Sequence, residues 1–328
     1  MAAALSGLVG DVGGTHARFA IATRADDERR FRISQARVLD AARYRTGDAA
    51  LVAYLAELST APPKVAVIAA AGPISKGAVS FTNNRRWRFD ERRLAKTGGF
   101  ARVSLINDFT AQALAIPRLR WSDTRFVGPP LRGLAHATRA ILGPGTGFGA
   151  AALVDDGRAQ AVMTGEGGHA GFAPEEDIEV EILRRLNKRG IERVSVEHLL
   201  SGPGLLNLYK TLGDIADQPA PIDAPDQVTR AGLAGDALAR EALARFCAIL
   251  GSAAGNFALA TGARGGVYIS GGIAPDILDF LEASDFRRRF EAKDRMGDYL
   301  SVIPTRVVVQ PHAALIGAAS LLEPVGRP

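Results

Sequence analysis

The chain has 328 residues, 47% of them hydrophobic and 23% charged, which is the usual composition of a soluble globular protein and excludes a fibrous or disordered chain. This length allows one large domain or two smaller lobes, and we expect two. The net charge of +5 is spread over 40 basic and 35 acidic residues, with the densest basic stretch at 85–93, which we interpret as a solvated surface and not as a nucleic-acid site.

The first half of the chain opens with apolar runs on both sides of a Gly-rich corner, residues 7–22, which predicts a β-hairpin. Strands and helices then alternate. The predicted elements are strands at 65–71, 78–82 and 103–106 and helices at 89–96 and 109–116, the last of which ends at Pro117.

A second hairpin at 140–154 repeats the order of strand, Gly/Thr corner and strand. Two such hairpins, each opening a half of the chain, indicate an internal duplication with one corner in each lobe. The remaining predictions are helices at 179–189, 196–200, 246–260 and 312–322, strands at 265–273 and 302–310, a helix break at 202–204 and a loop at 214–226.

The first corner has the composition of a phosphate-binding turn. Glycines let the backbone curl so that several N–H groups point at one anion, and Thr15 adds a hydroxyl. Asp11 ends the preceding strand, where a carboxylate can hold Mg²⁺ directly or through water. An ordinary hairpin turn, with Asp11 bonded to the turn backbone, is the alternative. The second corner, 143–149, repeats the pattern around Thr146.

Other phosphate-binding motifs do not fit the two corners. The sequence contains no GxxxxGK[ST] pattern, and the second corner is followed by a strand rather than a helix. P-loop and Rossmann sites are therefore not predicted.

Asn107 and Asp108 lie where a predicted strand ends and a helix begins, which is where ligands collect in α/β folds. A carboxylate there can accept a hydroxyl proton while the neighbouring amide orients the acceptor. Asn and Asp are equally suited to capping a helix N-terminus. Position alone leaves both interpretations open.

Glu166 and His169 are separated by two glycines, which favours a loop over a helix. A loop with a carboxylate, an imidazole and little other bulk suits hydrogen bonding to a polyhydroxylated ligand. A satisfied buried histidine and a metal ligand are the alternatives. Glu197 lies on a short predicted helix and would ordinarily be a solvated surface residue.

The single cysteine, Cys247, excludes an intramolecular disulfide and a cysteine-rich zinc site. The N-terminal segment lacks the basic residues and long apolar run of a secretory signal. Residues 246–260 fall short of the roughly 20 that span a bilayer, so we expect a buried helix in which Gly251 and Gly255 admit another helix closely. These features predict a cytoplasmic protein without a membrane segment.

Six motifs resemble the bacterial glucokinase family in order and spacing, and together they cover essentially the whole chain. They are GDVGGT at 10–15, NDFT at 107–110, GPGTG at 143–147, GEGGH at 165–169, SGPG at 201–204 and GGI at 271–273. The resemblance implies an α/β fold of the actin-like ATPase (ribonuclease H-like) type, duplicated into two lobes with a cleft between them, and a homodimer. The implied lobes are a small one, 1–112 completed by 312–328, and a large one, 113–311.

Carried over position by position, the resemblance makes Asp108 the general base and implies glucose binding by Asn107, Asp108, Glu166, His169 and Glu197. The glucose role of Glu197 comes only from this resemblance. The implied ATP-binding residues are Gly10, Asp11, Gly13, Gly14 and Thr15 in the first phosphate loop, Gly145, Thr146 and Gly147 in the second, and Gly271 and Gly272 on the adenosine side. Asp11 would hold Mg²⁺, through water.

The sequence departs from related sugar kinases at two points. The Cys-rich zinc motif that some of them carry is not matched, so zinc is not expected. His16 stands where similar sequences often have Asn, so the phosphate contact at that position is not predicted.

The function implied is that of a glucokinase, which transfers the γ-phosphoryl group of ATP to the 6-hydroxyl of glucose. A kinase of another hexose remains open, because preference among hexoses depends on side-chain geometry. A sugar-responsive regulator on the same fold is disfavoured because the first corner begins at residue 11, which leaves no room for a helix-turn-helix. A chaperone-like ATPase would lack the loop around Glu166, and a metal-dependent hydrolase lacks a third ligand.

Overall fold

A computed structural model describes residues 5–24, 30–81 and 87–322. The chain divides into two compact units, Met1–Arg120 with Gln310–Pro328 and Trp121–Val309. A division at 112/113 would cut through a helix, Asp108–Ala115, that lies wholly in the first unit. The first unit therefore extends eight residues further than the lobe expected from the sequence.

The first unit alternates strands and helices after an opening hairpin. Its elements up to Arg120 are β1 Leu5–Val12, β2 His16–Arg24, β3 Arg32–Asp40, α1 Gly47–Ala56, β4 Val65–Ala70, β5 Ala78–Ser80, β6 Arg88–Asp90, α2 Glu91–Gly98, β7 Arg102–Asn107 and α3 Asp108–Ala115. Short 3₁₀ turns follow β3 and α3.

The second unit is richer in helix. Its elements are β8 Thr124–Phe126, β9 Arg139–Pro144, β10 Phe148–Asp155, β11 Gln160–Gly165, α4 Asp177–Lys188, α5 Gly202–Ala216, α6 Pro225–Ala234, α7 Ala237–Thr261, β12 Gly266–Ile269, α8 Ile273–Asp276, α9 Leu278–Glu282, α10 Phe286–Glu291, α11 Gly297–Ser301 and β13 Thr305–Val308. The chain then returns to the first unit in α12, Ala313–Ala319.

The main sheets of the two units share one strand pattern. The first has the order β3-β2-β1-β4-β7 and the second β11-β10-β9-β12-β13-β8. In the first sheet β1, β2 and β3 pair antiparallel, and β4 and β7 continue in parallel beside β1. In the second sheet β9, β10 and β11 pair antiparallel, and β12 and β13 continue in parallel beside β9. Apart from the added edge strand β8, the two orders are identical, which supports the internal duplication.

The first sheet is packed on both faces because β1 is apolar on both sides. Leu8 and Val12 join the core under α1 and α2, whereas Val9 joins a second core formed with α12. A Cβ added to Gly317 of α12 would lie 1.8 Å from the carbonyl oxygen of Ala111 in α3. The backbones of these helices therefore touch, and α3 is held in place by the returning chain.

The core of the second unit surrounds α7, which is longer than the predicted helix at 246–260. Cβ atoms added at Gly251 and Gly255 would lie 2.1 and 2.5 Å from carbonyl oxygens of α10, which confirms the predicted close helix approach. Burial raises the pKa of Cys247 to about 12. By length and composition α7 could also cross a bilayer, but 67% of its most apolar window is buried within the protein, as in a core helix.

One helix start predicted in the first unit is corrected. Phe89 belongs to β6, and α2 begins at Glu91, because the Asp90 carboxylate accepts a hydrogen bond from the Arg93 N–H (2.9 Å) and caps the helix there. Residue 82 of the predicted strand, residues 85 and 86 of the basic stretch and residues 323–328 lie outside the described residues.

The predicted break at 202–204 was wrong, and the predicted loop at 214–226 is shorter than expected. Ser201 caps a helix by accepting from the Gly204 N–H (3.0 Å), and Pro203 lies in the first turn, where its missing N–H has no cost. Helix α5 runs on to Ala216, and α6 begins at Pro225. Only residues 217–224 connect them.

Candidate active site

The first corner is a tight turn between the paired residues Val12 and Ala17. The N–H of Gly13 donates to the carbonyl of His16 (2.9 Å), and the carbonyl of Thr15 accepts from Ala41 (2.9 Å), which anchors the turn from both sides. Gly14 lies at its tip between them. The Thr15 side chain is on an exposed residue, where a solvent-borne ligand can reach it.

The glycine before the corner, Gly10, lies in a tightly packed place. Gly10 is buried, and a Cβ there would meet Ile68 and Phe19 at 3.1 Å. The resemblance assigned Gly10 to the phosphate loop, but the packing explains this glycine by itself.

Asp11 faces Arg18 across the hairpin, since the two are register partners in β1 and β2. Nη1 of Arg18 lies 3.1 Å from Oδ2 of Asp11 and 3.4 Å from the carbonyl oxygen of Pro311. Burial raises the pKa of Asp11, and the charge of Arg18 lowers it in part. The sequence reasoning missed Arg18, although its place opposite Asp11 follows from counting back along the predicted hairpin.

The donor chemistry of this corner fits Mg²⁺ only in combination with a phosphate ligand. Magnesium is commonly bound by one or two carboxylates together with waters and substrate phosphates. The Asp11 side chain is 24% exposed at the mouth of the corner and supplies one carboxylate. In the part of the chain that the structure describes, no cluster of three or more His, Cys, Asp or Glu residues is placed to hold a metal by itself.

Asn107 and Asp108 lie at the carboxyl end of β7, two strands from the first corner. Val12 pairs with Ala70 of β4, and Ala70 pairs with Asn107, so the three strands end at one edge of the sheet. Neighbouring strands are about 4.8 Å apart, which puts Asn107 about 10 Å from the corner. The predicted position of Asn107 and Asp108 at the carboxyl edge of the sheet is therefore confirmed.

The structure confirms the capping interpretation for Asn107, and the base role of Asp108 stays a prediction. The side-chain oxygen of Asn107 accepts from the N–H groups of Phe109 (2.9 Å) and Thr110 (3.2 Å), so Asn107 is the N-cap of α3. Its amide nitrogen lies 3.4 Å from the carbonyl oxygen of Gly72. Asp108 occupies the first turn, half-buried, with one carboxylate oxygen 3.0 Å from the Phe109 N–H. The cap thus fixes the backbone from which Asp108 projects.

The second corner is closed by a hydrogen bond from the Gly145 N–H to the carbonyl of Gly147 (2.8 Å), with Thr146 exposed at its tip. It also touches the turn after β12. Gly271 has φ +85°, and a Cβ on it would lie 2.2 Å from the carbonyl oxygen of Pro144. The two glycine turns that the sequence treated separately are therefore in backbone contact.

Gly272, next to Gly271, has open space around its Cβ position and precedes α8. It is exposed, unlike the strand that leads to it. A ligand can therefore approach the backbone at this turn without displacing a side chain.

Glu166 and His169 are both exposed on one 3₁₀ turn, Gly167–His169, that follows β11. Gly168 is buried beneath this turn, and a Cβ on it would lie 2.2 Å from the carbonyl oxygen of Phe148. The two glycines therefore seat the turn directly on the second corner. The predicted loop carries a carboxylate and an imidazole at the surface, and the alternative of a buried histidine is wrong.

Glu197 is not a solvated surface residue. It is half-buried on a 3₁₀ turn, Val196–His198, and its Oε2 accepts a hydrogen bond from the N–H of Phe148 at 2.7 Å. The segment around it pairs with the residues that follow the Glu166 and His169 turn, since Phe172 donates to Val194 (3.0 Å) and Val196 donates to Ala170 (2.9 Å). The second unit thus brings Glu166, His169 and Glu197 around the same corner.

The comparisons with known proteins agree over the full length. The model of the Glucokinase family matches residues 8–325. The glucokinase of Caulobacter sp. (strain K31) is 50% identical, over 98% of this chain and 96% of its own. The chain belongs to the glucokinase family. Membership confirms the resemblance drawn from the six motifs.

Solved structures of glucokinases have the same fold. The crystal structure of a glucokinase from an Antarctic psychrotroph has a TM-score of 0.84 at 36% identity and covers 97% of this chain and 98% of that one. A ROK family glucokinase from Streptomyces griseus, solved in complex with glucose and AMPPNP, has a TM-score of 0.67 at 18% identity, with 96% and 98% coverage, and shares the fold. The actin-like fold predicted from the sequence is confirmed.

Proposed function

We propose that this member of the glucokinase family transfers the γ-phosphoryl group of ATP to the 6-hydroxyl of glucose, giving glucose 6-phosphate and ADP. One observation carries the proposal beyond family membership. A helix cap presents Asp108 at the same sheet edge as a glycine corner that can bind phosphate. Phosphoryl transfer needs mainly positioned groups and charge stabilisation, and this edge supplies both.

Asp108 acts as the general base. Its carboxylate takes the proton of the 6-hydroxyl as that oxygen bonds to the γ-phosphorus and the bond to the β-phosphate oxygen breaks. Asn107 holds the helix start through its oxygen and contacts the Gly72 carbonyl with its amide nitrogen, and the second N–H of that amide is the donor we assign to a sugar hydroxyl. A base on a rigid helix start has the fixed geometry that a near-attack arrangement requires.

The glycine corners bind the triphosphate through backbone N–H groups and the hydroxyls of Thr15 and Thr146. The residues we assign here are Asp11, Gly13, Gly14, Thr15, Gly145, Thr146 and Gly147, with Gly271 and Gly272 on the adenosine side. Gly10 supports the first corner through its packing. Mg²⁺, when bound, neutralises charge on the phosphoryl oxygens, and Asp11 is the residue that would hold it, directly or through water.

Glu166, His169 and Glu197 supply the sugar contacts together with Asn107 and Asp108. Carboxylates accept from hydroxyl groups and an imidazole both accepts and donates, so the set suits a hexose rather than an anionic substrate. A kinase of another hexose is the closest alternative, and it differs only in which hydroxyls these side chains read. We also propose a cytoplasmic homodimer without a nucleic-acid or membrane partner.

The test of this function is a panel of hexoses crossed with phosphoryl donors, read by product formation. We expect the highest kcat/KM with glucose and ATP. Faster turnover of another hexose would replace glucose in the proposal, and ATP hydrolysis without any sugar dependence would contradict a kinase function altogether.

The role of Asp108 is tested by Asp108→Asn. We expect kcat to fall by about 10²–10⁴, the range for losing a general base, while glucose affinity stays within a few-fold. Asp90→Asn is the matched control, since Asp90 is also a carboxylate at a helix start of the same unit, where it caps α2. Near-normal turnover in Asp108→Asn would remove Asp108 from the base role.

A further inference from the structure

We infer that Glu197 positions the second phosphate corner as well as the sugar, so that one carboxylate couples the two substrate sites. The inference rests on the proposed function, which assigns the sugar to Glu197 and the triphosphate to the corner. Glu197 acts on the nucleotide through the backbone it holds and is, for that substrate, a positioning residue.

The first observation is a charge-assisted hydrogen bond from a distant part of the chain. Oε2 of Glu197 accepts from the N–H of Phe148 at 2.7 Å, and Phe148 directly follows the three corner residues. Hydrogen bonds to ionised groups are about twice as strong as neutral ones. This bond therefore fixes the strand end at which the corner closes.

The second observation is the fit of the carboxylate against Gly147. A Cβ on Gly147 would lie 2.5 Å from Oε2, 3.3 Å from Cδ and 3.9 Å from Oε1 of Glu197. The carboxylate thus occupies the space that any other side chain at residue 147 would need. Gly145, at the other end of the same corner, has nothing within 4 Å of its Cβ position.

The third observation is that the segment carrying Glu197 is tied to the corner at a second point. The Gly202 N–H donates to the carbonyl of Gly145 at 2.8 Å, and the hydroxyl of Ser201 donates to the carbonyl of Glu197 at 2.8 Å. A shift of Glu197 toward a sugar would therefore move both ends of the corner, and a shift of the corner would move Glu197.

The two carboxylate oxygens have separate tasks in this arrangement. Oε2 is engaged by the corner, and Oε1, which lies farther from it, is the oxygen we assign to a sugar hydroxyl. Neutralising the carboxylate and removing it should then have different effects on the nucleotide. Glutamine keeps an oxygen acceptor for the Phe148 N–H. Alanine removes that acceptor and leaves the N–H of a buried residue, Phe148, unpaired.

The first experiment measures binding of AMPPNP by calorimetry with no sugar present. We expect Glu197→Ala to bind about tenfold more weakly than Glu197→Gln, which corresponds to loss of one hydrogen bond of about 1.4 kcal/mol. Glu192→Ala is the control and should bind like the unsubstituted protein, because Glu192 is an exposed carboxylate five residues before Glu197 and belongs to neither substrate site. Equal affinities in the two Glu197 variants would overturn the inference.

The second experiment measures glucose binding with no nucleotide present. We expect Gly147→Ala to weaken glucose binding by about tenfold, since the new methyl group displaces Oε2. Gly171→Ala should leave it unchanged, because Gly171 lies outside both corners and has open space around its Cβ position. Gly147→Ala should cost nothing further in a Glu197→Ala background, because the displaced group is gone. Wild-type glucose affinity in Gly147→Ala, or a full further loss in the double variant, would contradict the coupling.

The two experiments are independent of turnover, so they separate this inference from the proposed function. A protein that fails to phosphorylate glucose but shows the difference between Glu197→Ala and Glu197→Gln keeps the corner role of Glu197 and loses the kinase proposal. Should Gly147→Ala not fold, the Glu197 pair decides the question by itself.

Discussion

The two units build their glycine corners on the same strand order but hold them in different ways. In the first unit the corner is held by its own hairpin, through the Gly13 to His16 hydrogen bond and the Asp11–Arg18 ion pair. In the second unit the hairpin supplies only the turn. The side chain that holds it, Glu197, comes from 49 residues further along the chain than Phe148.

The two corners also differ in the residue that precedes the last strand pair of each hairpin, Val12 with Ala17 and Pro144 with Phe148. Asp11 and Gly143 each lie one residue before the pair that closes the hairpin. Asp11 supplies a carboxyl group there, beside the guanidinium of Arg18. Gly143 carries none, and a Cβ on it would lie 2.4 Å from the carbonyl oxygen of Ser270. The duplicated sheet therefore sets where a corner lies, and the local residues decide whether it supplies charge or close backbone approach.

The second unit also contains a cluster of ion pairs beside its corner region. Helix α4 begins shortly after the turn that carries Glu166 and His169, which we call the sugar turn. The carboxylates at the start of α4 and just before it form ion pairs with basic residues of α7 and α10. The members are Glu175, Glu176, Glu179, Arg245, Arg288, Arg289 and Lys293. This cluster fixes the exit of the sugar turn to the core of the unit.

Breaking the cluster at its buried centre should have the largest effect on stability. Glu179 is fully buried, and Arg289 binds its two oxygens at 2.7 and 3.0 Å. Arg289→Met leaves that carboxylate unpaired, so we expect the free energy of unfolding to fall by about 3–5 kcal/mol in urea denaturation. Arg288→Met, whose side chain is 57% exposed, should cost less than about 1 kcal/mol. Equal losses would mean that burial does not distinguish the two arginines.

The charged position of the first corner should affect turnover and not stability. We expect Asp11→Asn to lower kcat by about 10²–10³, as for removal of one charge-stabilising group. Burial raises the pKa of Asp11, so ionisation of this carboxyl costs folding free energy above its usual pKa. An uncharged amide relieves that cost at neutral pH and so offsets the loss of the ion pair with Arg18. Steady-state kinetics and thermal melts check the two parts. A large drop in the melting temperature would contradict this account.

The uncharged position of the second corner should show the reverse. Gly143→Ala forces a methyl group against the Ser270 backbone, which cannot rotate away, and we expect a loss of about 1–3 kcal/mol in the free energy of unfolding. Gly145→Ala, with open space at its Cβ, should melt within a degree or two of the unsubstituted protein. If both variants melt alike, close backbone approach at Gly143 is not what the glycine provides.

The fold could be predicted from the sequence because it depends on patterns that are local and repeated. The two hairpins, each with apolar runs around glycines, predicted the strand pairs that open both sheets. The long helix and its close partner followed from Gly251 and Gly255. What failed was local as well: the prolines and glycines of 202–204 were interpreted as a break, although Pro in a first turn starts a helix.

The site was only partly predictable. Asn107 as a cap and the exposed turn of Glu166 and His169 agree with what their residue types favour. The bond from Glu197 to the second corner joins residues 49 apart, and no periodicity or composition signals such a contact. Arg18 was missed for a different reason, since cross-strand partners become visible only when the register is counted through the corner.

The smallest expected effect compares two helix caps, one in each unit. Thr46 accepts from the Ala49 N–H (3.2 Å) at the start of α1, and Ser201 accepts from Gly204 at the start of α5. Replacing either by alanine should cost about 1 kcal/mol of stability. Ser201 also donates to the carbonyl of Glu197, so only Ser201→Ala should weaken glucose binding, by about threefold or about 0.6 kcal/mol.

Stability and affinity must be measured on the same two variants for this comparison to decide anything. Equal losses of stability with a loss of glucose affinity in Ser201→Ala alone would mean that the second unit transmits a change at a helix start to the sugar site. Unchanged affinity in Ser201→Ala would confine its hydroxyl to capping, and Glu197 would then be held by the Phe148 N–H without help from α5. The Glu197 side chain would in that case depend on its bond to the Phe148 N–H, and α5 would contact the second corner only through the bond from the Gly202 N–H to Gly145.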